Sequence, residues 1–294
     1  MTGTLRTTSY LAPDGVRLAA DRGGNPRDPA VILLHGGGQT RHSWSRVVAR
    51  LLREGFQVIN FDARGHGESD WSPAGAYALS DRASDLAAVT ADLDVPFILV
   101  GASLGGATSI VAIDAGLRPA GLVLVDIVPE PEPKGVERVV AFMKGHVGGF
   151  STIDEAAAAV AAYNPQRVRP IDGSGLMKNL RKRGDGRLHW HWDPRIIDVA
   201  PTAHNAVLRT ASESLRSLED LPVLLVRGLA SDVVSDASVG AFQRQLERLE
   251  VLDVAGAGHM VAGDRNDAFS DGIVDFARKT IGLMQAARRF ENGN

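Results

Sequence analysis

The chain has 294 residues, of which 44% are hydrophobic and 23% are charged, and its formal net charge is −3. This composition is ordinary for a globular protein with a large buried core, and the small net charge gives no electrostatic reason to expect nucleic acid or an anionic membrane as a partner. The absence of cysteine from the sequence excludes disulfides, thiolate catalysis and cysteine metal ligands. No apolar run reaches the roughly 20 residues of a membrane helix, and the opening segment MTGTLR lacks the apolar stretch of a secretory signal. We therefore expect a cytoplasmic protein that does not enter the membrane.

Short apolar strands alternate with helical patterns along the first 128 residues. Residues 7–21 predict two strands around the turn Pro13-Asp14-Gly15. Further strands are expected at residues 30–34, 56–61, 97–100 and 122–125, and the fully apolar run at 30–34 is typical of a parallel strand covered on both faces. Apolar residues at helical spacing between these strands predict one helix that starts near Trp44, one that starts near Ser80 and one that follows the strand at 97–100.

A proline-rich segment interrupts this alternation. Pro129, Pro131 and Pro133 indicate a stiff linker, and residues 136–217 predict helices without a strand. The strand–helix pattern resumes with strands at 221–228 and 250–254 and ends in a long helix. Such alternation predicts an α/β fold with a doubly wound, mostly parallel sheet. The core is expected to comprise residues 1–128 and 218–294, with residues 129–217 inserted as a helical cap.

One strand-to-helix turn in the middle of the core has a sequence that suggests a catalytic role. The apolar run Phe97 to Val100 leads into Gly101-Ala102-Ser103-Leu104-Gly105, and a helical pattern follows. A serine on a sharp strand-to-helix turn has a strained backbone, and glycines two positions away on each side relieve the crowding. The segment resembles the nucleophile elbow of the α/β-hydrolase family. This resemblance implies that Ser103 is a catalytic nucleophile.

A serine hydroxyl needs a general base, and the base needs an orienting carboxylate. The family order is serine, acid, histidine, and two downstream segments fit it. Asp232 follows the strand at 221–228, and His259 follows the strand at 250–254 within Ala-Gly-Ala-Gly-His. The resemblance therefore implies that Asp232 is the acid and His259 the base. Asp126, which ends the strand after the elbow, is the alternative acid, because some members of the family use that position.

Backbone donors for an oxyanion are expected near the glycines His35-Gly36-Gly37-Gly38, which follow the third strand. The family places one donor just after this His-Gly pair and the other directly after the nucleophile. That arrangement implies the amides of Gly37 and Leu104, with Gly38 as the alternative to Gly37. The glycine-rich loop from Asp62 to Asp70 is interpreted as structural, held by an ion pair between Asp62 and Arg64.

The substrate pocket is expected to be apolar, because aromatic residues and a methionine of the cap are available to line it. We assign five residues to its wall: Trp44, Met143, Trp190, Trp192 and Met260. Eight histidines are present, but no pattern of the H-E-x-x-H type indicates a metal site. Since no phosphate-binding glycine loop follows a strand, we expect neither a metal nor a cofactor.

These features together imply a serine hydrolase that cleaves a small apolar carboxylic ester or lactone through an acyl-enzyme. Family members whose nucleophile is an aspartate are excluded, because Ser103 occupies that position. A C–C bond hydrolase or a perhydrolase would use the same triad and stays an alternative. Two further alternatives are a non-catalytic small-molecule receptor and a lyase or ring-opening dioxygenase on the same scaffold. The sequence gives no indication of the oligomeric state.

Overall fold

The computed structural model describes residues 5–163, 174–198, 201–259 and 267–291. Among these residues, an eight-stranded sheet has the order β1-β2-β4-β3-β5-β6-β9-β10. Its first three members pair antiparallel, as β1 with β2 and β2 with β4, and the remaining neighbours are parallel. The strands are β1 (Arg6–Leu11), β2 (Arg17–Gly23), β3 (Ala30–Leu34), β4 (Gln57–Phe61), β5 (Phe97–Ala102), β6 (Gly121–Val125), β9 (Val223–Gly228) and β10 (Leu249–Val254). The predicted α/β fold with a mostly parallel sheet is confirmed.

Helices cover both faces of this sheet. Apolar residues of α1 (Ser45–Arg53) and α9 (Asp267–Glu291) share a buried cluster with one face of the strands. The other face packs against α2 (Leu79–Thr90), α3 (Leu104–Asp114) and α8 (Asp236–Gln245). Because helices lie on both faces, β3 and β6 are fully buried, which explains their continuous apolar sequences. In the described ranges, no helix has the length and apolar character that a bilayer crossing requires.

The insertion between β6 and β9 contains helices and a small second sheet. Its helices are α4 (Pro133–Gly145), α5 (Ile153–Tyr163), α6 (Pro201–Ser212) and α7 (Ser214–Ser217). The prediction that this segment lacks strands is wrong, because β7 (Leu180–Lys182) and β8 (Leu188–Trp190) pair antiparallel. Both strands are only three residues long, too short for a periodic pattern in the sequence. Leu208 and Leu215 belong to the same buried cluster as the core helices, so the end of the insertion packs on the core.

The strand order places the elbow strand in the centre of the sheet. β5 lies between β3 and β6, and β6 lies next to β9. The register continues past the strand ends, where the Ser103 amide donates to the Val125 carbonyl (2.9 Å) and the Asp126 amide donates to the Val226 carbonyl (2.8 Å). The loops that follow β3, β5, β6, β9 and β10 therefore meet at one edge of the sheet, which is where open α/β sheets bind ligands.

Candidate active site

The elbow after β5 has the strained geometry that its sequence predicts. Ser103 has φ 44° and ψ −110°, a conformation that a residue with a side chain rarely adopts. The turn also brings α3 against the strands on both sides. A Cβ on Gly101 would lie 2.5 Å from the carbonyl carbon of Gly105, and a Cβ on Gly105 would lie 2.4 Å from the carbonyl oxygen of Leu34. Glycine is therefore required at both positions by close backbone contact.

His259 is held by the carboxylate that ends β6. Its Nδ1 lies 2.7 Å from Asp126 Oδ2, and the Asp126 side chain is only 1% exposed. The same carboxylate accepts a hydrogen bond from Ser231 Oγ (2.5 Å) and one from the Gly228 amide (3.1 Å). Because a carboxylate accepts, His259 Nδ1 carries the proton, and Nε2 is left as the acceptor. This is the tautomer that a general base needs.

Asp232 does not contact His259, contrary to the expectation from the sequence. Its carboxylate accepts a hydrogen bond from Arg138 Nη1 on α4 (2.8 Å), and the two side chains are 37% and 49% exposed. The loop after β9 turns Ser231 towards Asp126, and the Ser231 hydroxyl also accepts the amides of Val233 and Val234. Asp232 is left to face the insertion. The alternative acid, Asp126 at the end of β6, is the carboxylate that contacts His259.

The amides around the elbow distinguish Gly37 from Gly38 as an oxyanion donor. The Gly38 amide donates to His66 Nε2 (3.1 Å), so it is already used. The Gly37 amide has no hydrogen-bond acceptor within the described residues. Gly37 also lies close to Leu104, because a Cβ built on Gly37 would be 3.9 Å from the Leu104 side chain. Leu104 opens α3, and first-turn amides of a helix have no partner inside the helix. The amides of Gly37 and Leu104 are therefore both available beside Ser103.

Three neutral histidines hydrogen-bond to the backbone of the two glycine-rich loops that follow β3 and β4. His35, His66 and His191 form a row with ring centroids 5.1 Å and 5.9 Å apart. Each ring has a backbone carbonyl at one nitrogen and a backbone amide at the other, so each is held in a single tautomer. Burial lowers the pKa of His35 and lowers the pKa of His66 further, and it lowers the pKa of His191 to about 3. All three side chains therefore have a structural role.

Two sets of ion pairs fix the loop after β4. Asp62 accepts hydrogen bonds from the amide of Arg41 (2.7 Å) and from its guanidinium. Arg64 instead binds both carboxylate oxygens of Asp85, at 2.7 Å and 2.6 Å, and reaches Asp14. The predicted pair between Asp62 and Arg64 is therefore wrong, because each finds its partner on a neighbouring element. The structural interpretation of the loop itself agrees with these contacts.

Ser103 and His259 line a cavity of about 500 Å³, a size typical of small-ligand sites. Three residues assigned to the pocket from the sequence, Met143, Trp190 and Trp192 of the insertion, also line this cavity. Trp44 does not. It is fully buried behind the cavity wall and stacks on Phe269 with a centroid distance of 5.9 Å. Met260, the fifth assigned pocket residue, lies outside the described residues.

Within the described ranges, no group of three or more His, Asp or Glu side chains is arranged to hold a metal ion. The carboxylates and imidazoles at this edge of the sheet instead bind one another or the backbone, as Asp126 with His259 and Asp62 with Arg41 do. The arrangement brings a strained serine, an oriented imidazole and two available amides to one cavity. Those are the parts that nucleophilic acyl transfer needs.

Comparison with known proteins gives a consistent result. The model of the alpha/beta hydrolase family matches residues 31–271. An esterase from Mycobacterium tuberculosis is 30% identical over 265 residues, which cover 84% of this chain and 83% of the relative. The 2-(acetamidomethylene)succinate hydrolase of Mesorhizobium japonicum is 30% identical over 244 residues, covering 79% of this chain and 82% of the relative. A crystal structure of an alpha/beta hydrolase from Novosphingobium aromaticivorans, 24% identical, superposes with a TM-score of 0.74 over 92% of this chain and 97% of its own, which concerns the fold alone.

Proposed function

Because the chain belongs to the alpha/beta hydrolase family, we propose that it is a serine hydrolase that cleaves a carboxylic ester or lactone through an acyl-enzyme. One relative is named an esterase and the other a hydrolase of a succinate derivative, so hydrolysis is common to both names. The bond and the serine mechanism are our proposal. The observation that carries it is the 2.7 Å contact between His259 Nδ1 and Asp126 Oδ2, which leaves Nε2 as a base in the cavity that Ser103 lines.

In the first half-reaction, His259 Nε2 takes the proton of Ser103 Oγ as the hydroxyl attacks the acyl carbon. Asp126 keeps the imidazole in the required tautomer and stabilises the imidazolium that forms. The amides of Gly37 and Leu104 donate to the oxyanion, and removal of one such donor costs about 3–4 kcal/mol of transition-state stabilisation. His259 then returns the proton to the leaving alcohol.

In the second half-reaction, water replaces the alcohol. His259 takes a proton from the water as it attacks the acyl carbon, and the same two amides bind the second oxyanion. Collapse of this intermediate releases the acid and returns the proton to Ser103. No hydrogen bond joins Ser103 Oγ and His259 among the described residues. Such contacts often tighten only when substrate binds.

The insertion at residues 129–217 acts in this proposal as a cap that sets the substrate. Met143, Trp190 and Trp192 supply apolar surface to the cavity, while the proposed triad comes from the loops of the core sheet. The cap therefore determines which acyl and alcohol groups fit, and the core determines the chemistry.

The test labels the serine directly. Wild-type protein, Ser103→Ala and Ser43→Ala are treated with a fluorophosphonate and weighed intact, and turnover of 4-nitrophenyl acetate, butyrate and octanoate is measured in parallel. Ser43 is a second serine that lines the cavity and serves as the control. We expect one adduct on wild type and on Ser43→Ala, none on Ser103→Ala, and a loss of kcat by about 10⁴-fold or more in Ser103→Ala. No adduct and no turnover in wild type would refute the proposal and would favour a receptor that binds without catalysis.

A further inference from the structure

A buried arginine faces the same cavity, and no described residue supplies its counter-ion. Arg82 lies on α2, is only 4% exposed, and lines the cavity together with Leu104 and Ala107, the residues that follow the elbow serine. A charged side chain is rarely buried unless it is paired, because transfer of an unpaired charge from water into a protein interior is costly. The position is also unexpected in the helix, since Arg82 follows Leu79 by three residues and precedes Leu86 by four, on the face that packs inwards.

The hydrogen bonds of the Arg82 guanidinium are incomplete. Its Nη1 donates to the carbonyl of Arg64 at 3.3 Å, its Cζ lies 5.7 Å from the centroid of the Tyr77 ring, and its Nε is buried with no hydrogen-bond partner among the described residues. Within the described residues, no carboxylate lies within 4.0 Å of it. Asp85 is close enough to affect its charge, but both carboxylate oxygens of Asp85 are bonded to Arg64. Burial lowers the pKa of Arg82 to about 10, so the side chain stays a cation at neutral pH.

A second buried nitrogen with unused hydrogen-bonding capacity belongs to the insertion. His204 on α6 lines the same cavity, and its Nε2 is buried with no hydrogen-bond partner in the part of the chain that the structure describes. Burial and the charge of Arg82 both lower the pKa of His204, so the imidazole is neutral and can donate one N–H. A guanidinium and a neutral imidazole thus border one cavity from the core and from the cap, and both have unused hydrogen-bonding capacity.

We propose that Arg82 binds a carboxylate of the substrate, with His204 as a second donor, so that the preferred ester is the half-ester of a dicarboxylic acid. This inference rests on the proposed ester hydrolysis at Ser103. A carboxylate carries one negative charge, which one arginine balances, and it accepts two parallel N–H bonds from a guanidinium. A phosphate monoester carries nearly two charges, whereas Arg82 is the one buried cation among the described residues that line the cavity, because Arg46 and Lys178 are exposed to solvent. The remaining cavity wall is largely apolar, which suits a methylene chain between the carboxylate and the ester.

The test compares two substrates that differ only at the far end. Mono-4-nitrophenyl glutarate carries a carboxylate where 4-nitrophenyl valerate carries a methyl group. The variants are Arg82→Met, which keeps the length of the side chain and removes its charge, and Arg82→Lys, which keeps the charge. Arg46→Met is the control, because Arg46 also lines the cavity but is half exposed. Thermal unfolding checks that each variant is folded. Arg82→Met removes the bond to the Arg64 carbonyl and the contact with the Tyr77 ring but leaves no carboxylate unpaired, so we expect only a small shift of its unfolding midpoint.

We expect wild type to prefer the glutarate half-ester. The ratio of kcat/KM for glutarate to that for valerate should fall about 10- to 100-fold in Arg82→Met, mainly through KM, as loss of a charge-assisted hydrogen bond predicts. Arg82→Lys should recover part of the ratio, and Arg46→Met should change it by less than about 3-fold, because exposed charges are screened. If the ratio of kcat/KM for glutarate to that for valerate is the same in Arg82→Met as in wild type, the inference is wrong.

A binding experiment separates this inference from the proposed function. Glutarate and inorganic phosphate are titrated by calorimetry into Ser103→Ala protein with Arg82 intact and with Arg82→Met. Glutarate binding that requires Arg82 supports the inference even where no ester is turned over, whereas absent turnover with glutarate binding intact contradicts only the proposed hydrolysis. Equal glutarate binding with and without Arg82, or tighter binding of phosphate than of glutarate, would refute the carboxylate assignment.

Discussion

The acid of the proposed triad can be identified by two matched substitutions. Asp126 and Asp232 both follow strands at the same edge of the sheet, but only Asp126 contacts His259. Asp126→Asn keeps the shape of the side chain and removes its charge. Asp126 has φ 51°, and asparagine tolerates that left-handed conformation well, so the backbone has no new reason to move. The substitution therefore reports on the charge and on the imidazole tautomer.

The expected effects of the two substitutions differ by orders of magnitude. An amide beside His259 Nδ1 disfavours the productive tautomer and no longer stabilises the imidazolium, which lowers kcat by about 10⁴-fold, or about 5 kcal/mol. Ser231 and the Gly228 amide lose a charged acceptor, so the free energy of unfolding should fall by about 1–3 kcal/mol. Asp232→Asn removes only an exposed pair with Arg138, which is worth at most about 1 kcal/mol.

The assay is steady-state hydrolysis of 4-nitrophenyl butyrate by both variants and wild type, with urea unfolding to measure stability. We expect Asp126→Asn to be nearly inactive but folded, and Asp232→Asn to stay within about 3-fold of wild type. If Asp126→Asn retains more than a tenth of wild-type kcat while Asp232→Asn loses activity, the geometric argument is wrong, and Asp232 must reach His259 in the working enzyme.

Two further predictions concern stability. Gly105→Ala places a Cβ 2.4 Å from the Leu34 carbonyl oxygen, so it should lower the free energy of unfolding by about 3 kcal/mol or more. The control is Gly282→Ala on α9, where a Cβ would meet nothing within 4 Å and the free energy of unfolding should change by less than about 1 kcal/mol. Equal effects of the two substitutions in urea unfolding would contradict this. His191 has its pKa lowered to about 3 in the folded protein, against about 6.5 when unfolded. The ring is neutral in the folded protein, whereas His191 of the unfolded chain takes up a proton below about pH 6.5. The free energy of unfolding is therefore unaffected by His191 above that pH and decreases as the pH falls towards 3, by about 2 kcal/mol between pH 6.5 and 5. His191→Gln should therefore flatten the fall in stability measured by urea unfolding at these two pH values, and parallel profiles would refute the assignment.

The parts of the fold that follow a repeating pattern were predictable from the sequence. Strands such as Ala30–Leu34 and Gly121–Val125 are buried on both faces, and their unbroken apolar sequences indicate a parallel sheet. The elbow was predictable for a different reason. Gly101 is fixed by a backbone contact with Gly105 inside the turn, so that constraint is local and is visible in the G-x-S-x-G sequence, whereas the contact that requires Gly105 is with Leu34 of β3.

The acid and the pocket depend on contacts between distant segments, and a single sequence does not contain them. Asp126 and His259 are 133 residues apart, and which aspartate meets the histidine is decided by how Ser231 turns the loop after β9. Trp44 was assigned to the pocket from its type alone, and the stacking partner that places it behind the wall is Phe269. Arg82 did leave a signal, a cation on the inward face of α2, which the prediction of an apolar pocket did not use.

Gly38 of the proposed oxyanion loop is bonded both to the core and to the insertion. The Gly38 amide donates to His66 from the loop after β4, and the Gly38 carbonyl accepts from His191 of the insertion. His191 also accepts the amide of Gly67, so one cap side chain ties two core loops together. Since both polar groups of Gly38 are hydrogen-bonded, the conformational freedom of the adjoining Gly37 is reduced, and we expect its amide to stay available to the cavity that Gly37 lines. The cap thus contributes to the proposed chemistry as well as to the choice of substrate, because the geometry of an oxyanion donor must be set before the substrate arrives.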